Sequence, residues 1–176
     1  MTTQTIKGNG FYPAGGPAPV FNLTAIKSGR QISLAACRGD VLGMVFHSRE
    51  TVQAVVEINT TVRPLFPDPK PVVLVSVLDL SIVPRLLHGA VKPMLEQAYD
   101  QAAREIPKGY NPADYVFLLP DWNGAVTKAF RAKDTNKAAA VVVIDRQGQV
   151  VGSYQGPQPG PATLSLVQAA LAAPLA

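Results

Sequence analysis

Val41-Leu42-Gly43-Met44-Val45-Phe46-His47-Ser48-Arg49-Glu50-Thr51-Val52-Gln53-Ala54 contains the change of period that decides the fold. Its first six residues are an unbroken apolar run, the pattern of a strand covered on both faces. After the polar step His47-Ser48-Arg49-Glu50, helical spacing sets in through Val52, Val55 or Val56, and Asn59. It continues to about residue 63, where Pro64 stops it. A buried strand that runs straight into a helix opens a strand-helix crossover, and a crossover implies a parallel neighbour.

That neighbour lies downstream. Val72-Val73-Leu74-Val75-Ser76-Val77-Leu78 is the most strand-like segment of the chain. Residues 82–91 are apolar but broken by Pro84 and Gly89, which fits a short helix or a packed loop. Pro93 suits the first turn of a helix running to about residue 106, with Met94, Leu95, Ala98, Ala102 and Ile106 on its apolar face. Tyr115-Val116-Phe117-Leu118-Leu119 reads as a strand and residues 124–130 as a short helix. Strands at 139–144 and 149–154 flank the hairpin signal Asp145-Arg146-Gln147-Gly148, and an amphipathic helix over 161–172 closes the chain.

Upstream, residues 8–19 are rich in Gly and Pro, and two short strands at 20–25 and 31–34 enclose the turn Lys27-Ser28-Gly29-Arg30. The expected architecture is α/β: a mixed central sheet flanked by helices, with an N-terminal strand extension. Residues 1–15 are expected to be a flexible N-terminal arm, and 16–176 a single domain without internal repeats.

Composition narrows the function. With 47% hydrophobic and 16% charged residues in 176, the chain is long and apolar enough to bury a core without covalent staples. It has one cysteine, Cys37, which excludes an internal disulfide, an intrachain dithiol cycle and a cysteine-cluster metal site. The net charge of +4 is spread over scattered Lys and Arg residues without aromatic interleaving, so no nucleic-acid partner is expected. Residues 1–7 lack the apolar core of a signal peptide, and no run reaches the length of a membrane span; a cytoplasmic location follows as an expectation.

Four segments carry a resemblance. Gly16-Pro17-Ala18-Pro19-Val20-Phe21-Asn22-Leu23 is similar to the opening Gly-x-x-Ala-Pro-x-Phe-x-Leu of peroxiredoxin-like proteins, and Ile32-Ser33-Leu34-Ala35-Ala36-Cys37-Arg38-Gly39-Asp40 to their Ser-Leu-x-x-x-x-Gly-Lys. Asp121-Trp122-Asn123-Gly124 resembles the Asp-x-x-Gly before their third helix, and residues 143–151 their late strand and hairpin. In this order and spacing the chain resembles the thioredoxin-like superfamily over residues 16–172. The closer resemblance is to its peroxiredoxin-like branch, related to alkyl hydroperoxide reductase and the membrane-tethered thiol-disulfide proteins.

The resemblance implies an active site that this chain lacks. Such proteins place Cys-x-x-Cys at the start of the first long helix, where the helix dipole and free amides stabilise a thiolate. Aligning Phe46 with the end of the strand puts Thr51 at the attacking position and Ala54 at the resolving one, with His47 beside them. A hydroxyl and a methyl cannot cycle through a disulfide. The family's cis-proline falls on Ala139, six residues before Asp145. A cis bond before a non-proline residue costs about 2.5–4 kcal/mol, so a trans peptide is expected there. Dithiol oxidoreductase and standard peroxiredoxin chemistry are therefore not expected, and His47, Thr51, Ala54 and Ala139 are vestigial positions.

Other residues could carry a function. Cys37 is a candidate for a one-cysteine peroxidase or a divergent thiol oxidoreductase using an external thiol; the plainer reading is a small buried apolar side chain. His47 next to Ser48 suggests a hydrolase, but no third orienting residue or nucleophile-elbow pattern accompanies them. The plainer reading has Glu50 and Thr51 capping the helix while His47 and Arg49 face solvent. His88 could ligate a metal or haem, yet two histidines without a spacing motif name no metal site. The favoured expectation is a redox-inactive binding or interaction module at the vestigial face. Its pocket would be lined by Phe46 and Trp122 and open to an apolar ligand, such as a tetrapyrrole, or to a protein. No bound cofactor is required, and segment 82–91 could cover a hydrophobic pocket or form a homodimer contact; the plainer reading is that it completes the core.

Overall fold

A computed structural model describes residues 10–174. Its strands are β1 (Asn22–Thr24), β2 (Gln31–Ser33), β3 (Val41–His47), β4 (Val72–Asp79), β5 (Leu118–Asp121), β6 (Ala140–Ile144) and β7 (Val150–Gln155). The α-helices are α1 (Gln53–Val62), α2 (His88–Arg104), α3 (Ala125–Ala129) and α4 (Pro159–Ala172). Five strands form one mixed sheet in the order β5-β4-β3-β6-β7, and β1 and β2 pair separately as an antiparallel hairpin. β3, β4 and β5 run parallel, with Val41 opposite Val72 and Ser76 opposite Leu118. β6 runs antiparallel to β3, and β7 antiparallel to β6.

The apolar run of β3 sits in the middle of this sheet because both its faces are covered, and every residue of it is buried. Period-two alternation divides it. Leu42, Met44 and Phe46 join Val73, Val75, Val77, Val126 and Phe130 in one core, whereas Val41 and Val45 join Ile58, Val62, Val167 and Ala170 in the other. The second core seats α1 and α4 side by side on the sheet, which brings the start of α1 to the C-terminal end of β3. α2 packs apart from both, with Leu95 and Tyr99 against Ile26 and Leu118.

Several expectations need correction. α2 begins at His88, after a 3-10 turn at Arg85–Leu87, so Pro93 lies within it. The residue whose carbonyl loses its partner to proline, Gly89, is exposed. The buried side of α2 is Leu95 and Tyr99, with Val91 and Ala103 in support; Met94, Ala98 and Ala102 face outward. Tyr115 precedes β5, because a 3-10 turn at Pro112–Asp114 turns the chain there. α4 starts two residues before Pro161.

The expected arm over 1–15 lies outside the described residues at positions 1–9. The rest of it is tied to β7: Phe11 N and Tyr12 N donate to Ser153 Oγ at 2.9 and 2.8 Å, and Gly15 N donates to Val150 O at 2.8 Å.

Candidate functional site

The chain leaves β3 through a tight turn. Ser48 N donates to Thr51 Oγ1 at 3.1 Å, and Thr51 N donates back to Ser48 O at 3.3 Å. Ser48 Oγ donates to the Glu50 carboxylate at 2.5 Å, which holds that carboxyl below its ordinary range, helped by a backbone amide. Neither Glu50 nor Thr51 caps the helix: Val52 stands at the N-cap without a side-chain bond. The Thr51 hydroxyl instead donates to Thr135 O at 2.6 Å, in the loop that leads to β6.

That loop is pinned from the other side. Gln155 Nε2 donates to Lys133 O at 2.7 Å and to Ala138 O at 2.9 Å. The peptide before Ala139 is trans, and Ala139 is buried against the α1 and α4 core. Next to it, Tyr154 Oη accepts from Gln158 N at 3.1 Å, and Glu57 Oε1 accepts from Gly160 N at 3.0 Å, which draws the start of α4 onto α1. Between these elements opens a cleft of about 420 Å³. Thr51, Ala54, Ala138, Ala139, Pro157 and Pro159 wall it, and Gln53, Glu57 and Lys137 give it polar groups.

No protein-family model matches the chain, and no curated protein matches it. Solved structures do. A protein described as the thiol:disulfide interchange protein DsbE of Chlorobium tepidum is 20% identical, with 91% of this chain and 99% of that one covered at a TM-score of 0.62. A thioredoxin-family thiol:disulfide interchange protein of Chlorobium tepidum TLS is 15% identical, covering 90% and 98% at 0.61. BsSco, a member of the Sco family of cytochrome c oxidase assembly proteins, is 14% identical, covering 93% and 96% at 0.61. The fold is thioredoxin-like. At these identities the likeness speaks for the fold alone, and it does not single out the peroxiredoxin-like branch.

In this thioredoxin-like frame, Thr51, Ala54 and Ala139 come together on one cleft, although the first and last of them are 88 residues apart in the chain. His47 does not join them. It is 4% exposed, which corrects the expectation that it faces solvent. Nδ1–H donates to Ser48 O at 2.9 Å, so Nε2 is the acceptor for the Ser76 hydroxyl on β4. Burial pushes its pKa below the ordinary histidine value, with the Ser48 bond opposing. The ring is a neutral link between β3 and β4.

Phe46 and Trp122 form no pocket together. Phe46 is sealed in the core 5.6 Å from the Phe130 ring, whereas Trp122 supports the α2 cluster and stacks on His88 with ring centroids 4.3 Å apart. His88 Nε2 donates to Val83 O at 3.1 Å. Among the described residues no three His, Cys, Asp or Glu side chains gather as a metal site would require. Cys37 is buried in the sheet's first core, away from the cleft. Burial first, then the nearby Asp40, pushes its thiol up to about 11.

Sequence reasoning missed Ser76 and Thr135, which bond His47 and Thr51 from distant segments. It also missed the polar residues Gln53, Glu57 and Lys137. The Pro-rich stretch Gly156-Pro157-Gln158-Pro159-Gly160-Pro161 is the signal that could have located the far wall, since two of its prolines stand on the cleft.

Proposed function

We propose that this chain is a redox-inactive binding protein on a thioredoxin-like scaffold, and that it takes an apolar ligand in the cleft beside Thr51. One observation carries the reading: the positions of the missing thiols and the missing proline line a single open cleft of about 420 Å³. That is within the range of small-molecule sites, roughly 300–1,000 Å³. Methyl groups and pyrrolidine rings from Ala54, Ala138, Ala139, Pro157 and Pro159 supply apolar walls. Lys137 and Gln53 suit a polar end group, while Glu57 is already engaged with Gly160.

The same reading keeps the chain on the peroxiredoxin-like side of the superfamily, on the strength of the segments at 16–23 and 32–40. Cys37 gives little support to the competing enzymatic reading. Its thiol is buried, raised to about 11, and absent from the cleft walls, and reactive cysteines need the opposite environment.

Thermal melts over a panel of fatty acids, flavins, tetrapyrroles and apolar peptides test the proposal, alongside the absorption spectrum of the freshly purified protein. A ligand present at 100 times its Kd stabilises by about 2.7 kcal/mol, a rise of about 5–10 °C for a domain of this size. Gln53 is exposed, so Gln53→Tyr fills the cleft without disturbing the core, and it should abolish the rise. A panel that leaves Tm unchanged, or a Gln53→Tyr protein that responds like wild type, overturns the assignment.

A further inference from the structure

The segment between β4 and the first turns of α2 presents apolar side chains to solvent on a held framework. Ile82 is 90% exposed and Leu86 is 96% exposed, with Leu87 and Met94 also exposed. Leu87, which ends the 3-10 turn, and Ala90 and Met94 in α2 follow one another at helical spacing on the outward side. The inward side is already committed, because Leu95 and Tyr99 pack against Ile26 and Leu118.

The projecting turn is held in place. Val83 N donates to Leu80 O at 2.9 Å, and Leu87 N donates to Pro84 O at 2.8 Å. His88 closes it with its bond to Val83 O and its stack on Trp122. Leu86 and Ile82 are therefore knobs on a fixed base, and neither lines the cleft beside Thr51.

Charge decides what suits them. From Leu80 to Leu95 the chain has no Asp or Glu, while Arg85 and Lys92, both exposed, stand among the apolar residues. Two copies pressed together through this face across a two-fold axis would oppose cation to cation, which disfavours a homodimer. A peptide partner would need a groove for its own side chains, and this face offers projections. A fluid anionic surface needs no matching shape: apolar knobs enter the headgroup boundary while Lys and Arg remain at the phosphates.

We propose that the 82–94 face docks this protein on anionic lipid bilayers, with Ile82, Leu86, Leu87 and Met94 entering the headgroup region and Arg85 and Lys92 facing lipid phosphates. The inference is independent of the cleft beside Thr51. Peripheral docking of this kind requires no membrane-spanning helix.

Cosedimentation with vesicles of phosphatidylcholine containing roughly one-third phosphatidylglycerol tests it, against vesicles of phosphatidylcholine alone. Wild type should pellet with the anionic vesicles, remain largely in solution with the neutral ones, and be released by salt. Arg85→Glu/Lys92→Glu should weaken partition by at least roughly 25-fold, about fivefold for each cation lost. Ile82→Asp/Leu86→Asp should abolish it while leaving circular dichroism and Tm unchanged, since both side chains already stand in water. The proposal is overturned if wild type stays in solution with anionic vesicles, or if the Ile82→Asp/Leu86→Asp protein pellets equally. It is equally overturned if the face proves to hold a dimer that these substitutions dissociate, or if an acidic apolar peptide binds it where vesicles do not.

Discussion

Thr51 Oγ1 donates to Thr135 O across 2.6 Å and accepts from Ser48 N at 3.1 Å, so this one side chain joins two loops that meet at the cleft. Its single hydroxyl proton is engaged and is not free for chemistry. Thr51→Val keeps the shape and removes both bonds, leaving a half-buried carbonyl and an amide without partners. The expected loss is about 1–2 kcal/mol, read as a lower urea midpoint with an unchanged m-value. A midpoint equal to wild type would show that Thr51 does not secure this junction.

His47 gives the fold a pH dependence whose sign can be worked out. Its folded pKa is depressed by burial, so below pH 6.5 the unfolded chain binds a proton that the native ring resists. Stability is complete above the unfolded value of about 6.5 and falls as pH drops through the folded value, by at most about 1.4 kcal/mol per pH unit for one proton. Protonation would also set an N–H against the Ser76 hydroxyl that now donates to Nε2. Urea unfolding between pH 7.5 and 5 should show a decline in wild type that is shallower in His47→Gln. Equal slopes in the two proteins would remove His47 from the account.

Cys37 should behave as an inert thiol. With its pKa raised to about 11, its thiolate fraction at pH 8 is roughly two orders of magnitude below that of an ordinary cysteine. Alkylation by iodoacetamide should accordingly be slow in the native protein and fast in urea. Native labelling at the rate of free cysteine would reopen the one-cysteine peroxidase reading.

The mixed sheet was legible because its strands and its terminal hairpin follow from local patterns, whereas the strand order does not. The run at 41–46 has no polar residue to place outward, and the hairpin at 145–148 announces its own reversal. Thr51, Ala54 and Ala139 were legible as a group only through the family resemblance, since nothing in their chemistry marks them. His47 was misread because a polar residue at a strand end normally faces water; its partner, Ser76, lies 29 residues away, and periodicity cannot pair the two. The pocket expected from Phe46 and Trp122 failed for a related reason. Aromatic residues serve the core as readily as a ligand, and only the alternation of faces separates the two roles. In α2, Pro93 suggested a helix start, and that choice moved the apolar face onto Met94, Ala98 and Ala102.

Gly160 links the stability of the fold to the cleft. A Cβ on this residue would stand 2.5 Å from Thr61 Oγ1 and 3.0 Å from Glu57 Oε1. Thr61 is short, β-branched and bonded to Glu57 O at 2.8 Å, so it has little room to yield. Gly160→Ala should therefore push α4 away from α1, at a cost of about 1–3 kcal/mol. The push would strain the bond from Gly160 N to Glu57 and carry Pro157 and Pro159 off the cleft wall. The variant should unfold at lower urea and lose most of any ligand-induced rise in Tm, whereas a surface change such as Thr60→Ala should keep that rise. If Gly160→Ala matches wild type in both measurements, the close approach of α1 and α4 does not shape the cleft.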